Sequence, residues 1–179
     1  VTMRKQITGY ERRDGKSGEP LGRFALDLPE TTLETRAFYL TVPDSVETAM
    51  REQADERSAV ANTDEAFAGG IHAAEHAMIA MMPAELLCDR RDVGGLSTPL
   101  HPHTGQSTIF VYDGYPGGVG LTDRAYADID SLVATTRRMV DSCDCADGCP
   151  ACVQSPHCGN ANDPLDKDLA LHLLDALGG

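Results

Sequence analysis

Cys143 to Asn160 reads CDCADGCPACVQSPHCGN, a stretch that holds five of the six cysteines of this 179-residue chain. Within it Cys149-Pro-Ala-Cys152, preceded by Gly148, has the form of a zinc knuckle. Two intervening residues let backbone amides turn toward the sulfurs while both thiolates reach one tetrahedral ion. Cys143 and Cys145 close the other side, and Cys158 stands further on as an alternative ligand. Four thiolates with no open position make a structural site. Metal binding there is worth about 10–16 kcal/mol by zinc-finger precedent, against the roughly 5–15 kcal/mol stability of a whole domain. The cluster is therefore expected to organise the joint between the helices that flank it. Disulfides would need an oxidising compartment, and a redox dithiol is expected beside a βαβ pattern rather than in a Gly- and Pro-rich knot. Cys88, alone after a helix, reads as a core residue.

Outward from the cluster the patterning is helical. A last helix is expected from Pro164 through Leu165, Leu171, Leu174 and Leu177 to a Gly178-Gly179 stop. Before the cluster, Leu121 to Ser142 keeps one apolar face through Ala125, Ile129, Leu132, Thr136 and Val140. Asp64 to Leu87 repeats Phe67, Ile71, Ala74 and Met78 at helical spacing, with Pro83 expected to kink or end it. Asp44 and Glu47 make a capping-box start for a short helix, and Gln53 to Asn62 reads as a loop. Ser107 to Tyr112 is a strand, while Gly94-Gly95 and Pro99 to Gly105 read as loop. In the first 42 residues, Gln6 to Tyr10, Arg23 to Leu28 and Thr35 to Val42 suggest a three-stranded antiparallel meander, turned at Asp14-Gly15. The expected class is α+β: N-terminal antiparallel strands, a helical core with one further strand, and a four-cysteine zinc knuckle between the last two helices. Residues 1–43 are expected to form a separate strand segment and 44–179 the zinc-binding domain.

Composition narrows the function. There are 15 basic against 28 acidic side chains, a formal net charge of -13. That balance argues against a self-sufficient nucleic-acid binder, since phosphate neutralisation by Lys and Arg dominates such affinity. It also suits a salt-rich habitat, where dense salt screens self-repulsion. Basic residues fall in the pairs Arg4 and Lys5, Arg12 and Arg13, Arg90 and Arg91, and Arg137 and Arg138. Val1 to Arg13 has no apolar run of signal-peptide length, which points to a cytoplasmic protein. Ala66 to Cys88 is interrupted by His72, Glu75, His76 and Glu85, so no membrane segment is expected. The start at Val1, with Met3 just ahead of a strand, suggests a fragment of a longer chain.

Two other motifs bear on chemistry. His72-Ala-Ala-Glu75-His76 matches the pattern H-x-x-E-H, in which two histidines one turn apart bind a catalytic metal beside a glutamate base. No third ligand is identifiable from spacing, although Glu85, Asp89 and Asp92 follow. Gly15-Lys16-Ser17 has the wrong spacing from Gly9 and the wrong setting for a phosphate-binding loop. Gly114 to Gly120 sits between a strand and a helix where an anion could bind, but Asp113 would oppose a phosphate there.

Taken together, Gly70 to Met78 (GIHAAEHAM), Cys88 to Gly95 (CDRRDVGG), Ile109 to Gly120 (IFVYDGYPGGVG) and the Cys143 to Asn160 block resemble the MrfA zinc-binding (MZB) domain. That module lies at the C-terminus of DEAD/DEAH-box superfamily 2 DNA helicases of the mitomycin-repair type. The resemblance spans about residues 35 to 177, and the upstream strands look like the segment joining such a module to its helicase body. It implies an accessory domain of an ATP-dependent 3′–5′ DNA helicase active in DNA repair, with structural zinc held by Cys143, Cys145, Cys149 and Cys152. It further implies a role in holding single-stranded DNA against the motor, and helicase motor domains of the same polypeptide as partners. ATP and Mg would bind the motor, whose Walker and DEAD/DEAH motifs this sequence lacks. No catalytic residue is assigned to this chain. The alternatives are a small metalloenzyme built on His72, Glu75 and His76, or a zinc-stabilised protein-interaction scaffold.

Overall fold

The computed structural model describes residues 1–57 and 62–178. Five strands come first: β1 (Thr2–Lys5), β2 (Gly9–Arg13), β3 (Pro20–Ala25), β4 (Thr31–Glu34) and β5 (Ala37–Thr41). Helices α1 (Asp44–Arg57) and α2 (Thr63–Leu86) follow, then a 3-10 turn (Arg90–Asp92), β6 (Val93–Thr98) and β7 (Thr108–Asp113). Helices α3 (Leu121–Ala127), α4 (Ile129–Asp141) and α5 (Lys167–Leu177) complete an α+β fold. Among the described residues no helix is long and apolar enough to cross a membrane.

The three-stranded meander does not form. β2 and β3 pair as a hairpin turned where Asp14 accepts from the Lys16 and Ser17 amides, and β1 pairs with β4 outside it. The strand that the meander assigned to its third position, β5, pairs instead with β7, giving a sheet of order β5-β7-β6. Burial explains the choice. Phe38 within β5 and Val42 just after it are buried in the helical core, whereas Ile7, Tyr10, Leu21, Phe24, Leu26 and Leu28 of the N-terminal strands stay largely exposed. Hydrophobic area is won by moving β5 under the helices.

β6 was the strand hidden in an apparent glycine loop. It lies flat against α2 because a Cβ at Gly95 would stand 2.5 Å from Ile79 Cδ1 and 2.6 Å from Glu75 Oε1. Glycine in a strand here marks close approach rather than a turn. Helix α2 is the central element, packed against α5, β6, α1 and α4. Its Asn62 cap accepts from the Asp64 and Glu65 amides. Pro83 does not end it; the helix runs one turn further and stops where Leu87 turns left-handed at φ 55°. At its crossing with α5, a Cβ on Gly70 would lie 2.6 Å from Leu169 Cβ, so the two backbones meet directly.

Three other helix boundaries differ from expectation. α1 continues to Arg57, beyond Gln53, because Ala54 is buried and Arg57 reaches Asp166 (2.6 Å) and Asp168 (3.2 Å); residues 58–61 of that expected loop lie outside the described residues, as does Gly179 of the expected stop. The single helix over 121–142 breaks at Asp128, which lets Ala125 face the sheet while Leu132, Val133, Thr136 and Val140 face α2 and α5. α5 begins at Lys167 rather than Pro164, because the Asp166 carboxylate accepts from the Leu169 amide and sets the cap.

The loop between β7 and α3 supplies its own anion. Buried Asp113 accepts from the amides of Val119 (2.6 Å), Gly120 (2.9 Å), Leu121 (3.3 Å) and Thr122 (2.8 Å), so its own carboxylate occupies the helix N-terminus in place of an external anion. Burial alone would push its pKa up, but the hydrogen bonds donated by the Thr122, Val119 and Gly120 amides outweigh it and hold the carboxyl below the ordinary carboxylate range. A depressed folded pKa stabilises the fold above the unfolded value and loses that contribution as pH falls through the folded one. Asp113→Ala is expected to cost about 2–3 kcal/mol at pH 7, a loss of hydrogen bonds to a charged group. In urea titrations the gap from wild type should narrow below about pH 4; a gap independent of pH would contradict this.

Candidate metal centre

The end of α4 feeds directly into the cysteine cluster, with the Cys143 amide still donating to Val140 O (3.3 Å). Gly148 then takes φ 96°, and a Cβ there would lie 2.4 Å from Val153 Cγ2, so only glycine makes this turn. Cys149 to Cys152 forms a tight turn in which the Cys149 amide donates to Cys152 Sγ (3.2 Å) and the Cys152 amide to Cys149 O (3.0 Å). The four sulfurs converge: 143–145 at 3.6 Å, 143–149 at 3.5 Å, 145–152 at 3.4 Å and 149–152 at 3.8 Å. Four thiolates around one Zn²⁺ at about 2.3 Å would place neighbouring sulfurs about 3.8 Å apart, whereas a disulfide needs about 2.05 Å. All six cysteines are unbridged. The donor set fits a tetrahedral zinc.

A second layer holds the cluster. The ammonium of Lys167, at the first turn of α5 and buried, donates to Cys143 O (2.5 Å) and Cys145 O (2.7 Å). Its positive charge would offset the net negative charge of four thiolates around a zinc ion. Gln154 Nε2 donates to Gly148 O (3.1 Å), and fully buried Val153 anchors the loop in the core. Sequence reasoning did not single out Lys167; as one of three lysines in an arginine-rich chain, it carried that signal unread.

The structure puts Cys158 with a different group. Cys158 Sγ lies 3.4 Å from His72 Nε2, and one ligating atom each of His72, His76 and Cys158 fall within 4.8 Å of one another. Both imidazoles face backbone carbonyls through Nδ1: His72 to Pro164 O (2.8 Å) and His76 to Val153 O (2.9 Å). Burial, reinforced by His72, pushes the His76 pKa down to about 4. Glu75 turns the other way, to Ser97 of β6; burial pushes its pKa up to about 7 against the Ser97 hydrogen bonds. The glutamate of the H-x-x-E-H pattern therefore sits apart from the histidine pair, and Glu85, Asp89 and Asp92 do not join it. The histidines and Cys158 line a cavity of about 730 Å³ that Lys5, Arg90 and Arg91 also border. Cys88 is half-buried and packs against the core.

The family model of the MrfA Zn-binding domain matches residues 74–153, which take in all four clustered cysteines. An uncharacterized protein of Methanocaldococcus jannaschii is 36% identical over 110 residues, 60% of this chain and 98% of its own length. The chain belongs to the MrfA Zn-binding domain family. The ATP-dependent helicase YprA of Bacillus subtilis is 29% identical over 153 residues, 86% of this MZB chain but 19% of the helicase. A crystal structure of the DUF1998 helicase MrfA bound to DNA superposes with a TM-score of 0.61 at 25% identity, covering 98% of this chain and 21% of that one. The MZB chain thus spans nearly all of the archaeal relative and about a fifth of these two helicases.

If Lys167 secures the cluster, Lys167→Met leaves two half-buried carbonyls without their donor and removes a positive charge beside the thiols. It should lower stability by roughly 1–3 kcal/mol and speed metal loss to a chelator, read by a colorimetric zinc indicator. An unchanged release rate would contradict this role.

Proposed function

We propose that this MZB chain is the zinc-stabilised accessory domain of an ATP-dependent 3′–5′ DNA helicase of DNA repair, with Cys143, Cys145, Cys149 and Cys152 holding a structural zinc. The observation that carries it is the fit of 98% of the chain onto about a fifth of MrfA, a helicase captured bound to DNA in two crystal structures, one of them with AMPPNP as well. On this reading ATP and Mg bind motor domains elsewhere in the same polypeptide, in the cytoplasm, and this chain contributes no catalytic residue. Zinc supplies rigidity here, because four sulfurs leave no position for substrate or water.

The exposed apolar side chains of the N-terminal hairpin, with Tyr10 stacked on Phe24 at 5.2 Å, suit a surface that packs on the motor. The basic pairs are unequal in what they offer to DNA. Arg4 faces Glu30, Arg13 faces Glu11, and Arg137 is shared by Asp141 and Asp175. Lys5, Arg90 and Arg91 instead border the cavity, and among the described residues they make no ion pair. We assign the help in retaining single-stranded DNA to that edge. The charge of -13 leaves the main grip to the motor and suits a protein of salty surroundings.

Two outcomes are expected. The reading frame around this segment should encode a Walker A motif and a DEAD/DEAH box; their absence would sink the helicase assignment. In fluorescence anisotropy at about 0.15 M salt, the isolated chain should bind a single-stranded oligonucleotide weakly, without saturation in the low-micromolar range that tight specific binders exceed. Saturable nanomolar binding would contradict the division of labour between this domain and the motor.

A further inference from the structure

We propose that His72, His76 and Cys158 form a second zinc site, separate from the four-cysteine cluster, which ties α2 to the loop that follows the knuckle. Three independent features of the geometry converge on it.

The first is tautomeric. A carbonyl oxygen can only accept, so the contacts of His72 Nδ1 with Pro164 O and His76 Nδ1 with Val153 O require N–H at both Nδ1 atoms. Each neutral ring then carries its lone pair on Nε2. Fixing a ligating imidazole through a carbonyl on its other nitrogen is the usual second layer of a metal site. The second is the spacing along α2. Residues four apart lie on one helix face, and the two rings stand 4.3 Å apart, centroid to centroid.

The third is the backbone around Cys158. Its sulfur accepts from the amides of Asn160 (3.3 Å) and Asn162 (3.4 Å), just as Cys152 Sγ accepts from the Cys149 amide in the other cluster. To bring them there, Ala161 and Asn162 both adopt left-handed backbone, at φ 55° and 62°. That conformation is costly for alanine and persists only where the surroundings enforce it. Asn162 locks the turn by bonding both the amide (2.7 Å) and the carbonyl (3.0 Å) of Ser155.

Two imidazole nitrogens and one thiolate suit Zn²⁺ better than Mg²⁺ or Ca²⁺, which take oxygen. On binding, the ion displaces the Cys158 thiol proton to solvent, and both imidazoles bind as neutral donors. Three protein ligands leave a fourth position, which opens onto the cavity for water. His72 and Cys158 both lie outside the residues 74–153 that match the family model, so the site does not follow from that match.

The test is zinc content by mass spectrometry together with zinc-edge X-ray absorption on the whole chain purified in the presence of zinc. Two zinc ions per chain are expected, with imidazole scattering in the spectrum. Cys158→Ser, and separately His72→Ala, should each halve the zinc and remove the imidazole signal, while circular dichroism reports that the fold persists. Cys149→Ser should remove the all-sulfur zinc instead, so failure of one site is distinguishable from failure of the other. The wild-type spectrum decides alone if a variant does not fold. One zinc per chain with sulfur-only scattering, or a second zinc unmoved by these variants, overturns the proposal and leaves His72 and Cys158 as a hydrogen-bonded pair.

Discussion

The four sulfurs that meet between α4 and α5 are the contact on which the C-terminal half of the molecule depends. Residues 142–166 contain no helix or strand, and Cys152, Val153 and Ser155 are the buried positions within them. Ordering a backbone of that kind has a large entropic cost that so few buried side chains do not offset. On the proposed zinc reading, convergence of Cys143, Cys145, Cys149 and Cys152 at tetrahedral spacing supplies the missing term, since an ion bound there would act on the folded chain only. The cluster is thus less an ornament on a finished domain than the condition for its last helix to dock.

From that point the constraint spreads through named contacts. Lys167 binds the carbonyls of Cys143 and Cys145 and so sets the first turn of α5 against the end of α4. Once placed, α5 brings Leu169 onto Gly70 of α2 and offers Asp166 and Asp168 to Arg57 of α1. Helix α2 in turn supports β6 through Ile79 and Glu75 at Gly95. The sheet is fastened independently, by Asp113 at the start of α3 and by Thr35, whose hydroxyl donates to Asp113 O or Tyr115 O. The molecule therefore has two anchors, an internal carboxylate on the sheet side and a four-cysteine cluster on the helix side.

How much of this could be read from the residues follows from range. The convergence of the four cysteines was legible because all four fall within one short segment, where spacing alone limits geometry. The core of α2 and the β2–β3 turn were legible for the same reason. β6 was not, since Gly94-Gly95 has the composition of a turn and only the presence of Ile79 and Tyr112 explains why glycine is needed in a strand. The partner of β5 was not, because antiparallel pairing with β7 joins Ala37 to Tyr112 across the helical region. The companion of the histidine pair was furthest from view: Cys158 lies 86 residues from His72, and its neighbours suggested the wrong cluster.

On the proposed reading, an accessory domain built this way gives a helicase a rigid body whose own contact with DNA is confined to one basic edge, which reconciles a strongly acidic chain with a nucleic-acid enzyme. The central claim is that metal at the four cysteines holds the joint between α4 and α5. Hydrogen exchange of the zinc-loaded chain, before and after chelation, measures this most directly. Chelation should abolish protection in α5 and in residues 149–155 while the β5-β7-β6 sheet keeps much of its own. Equal protection of α5 with and without metal would contradict the account.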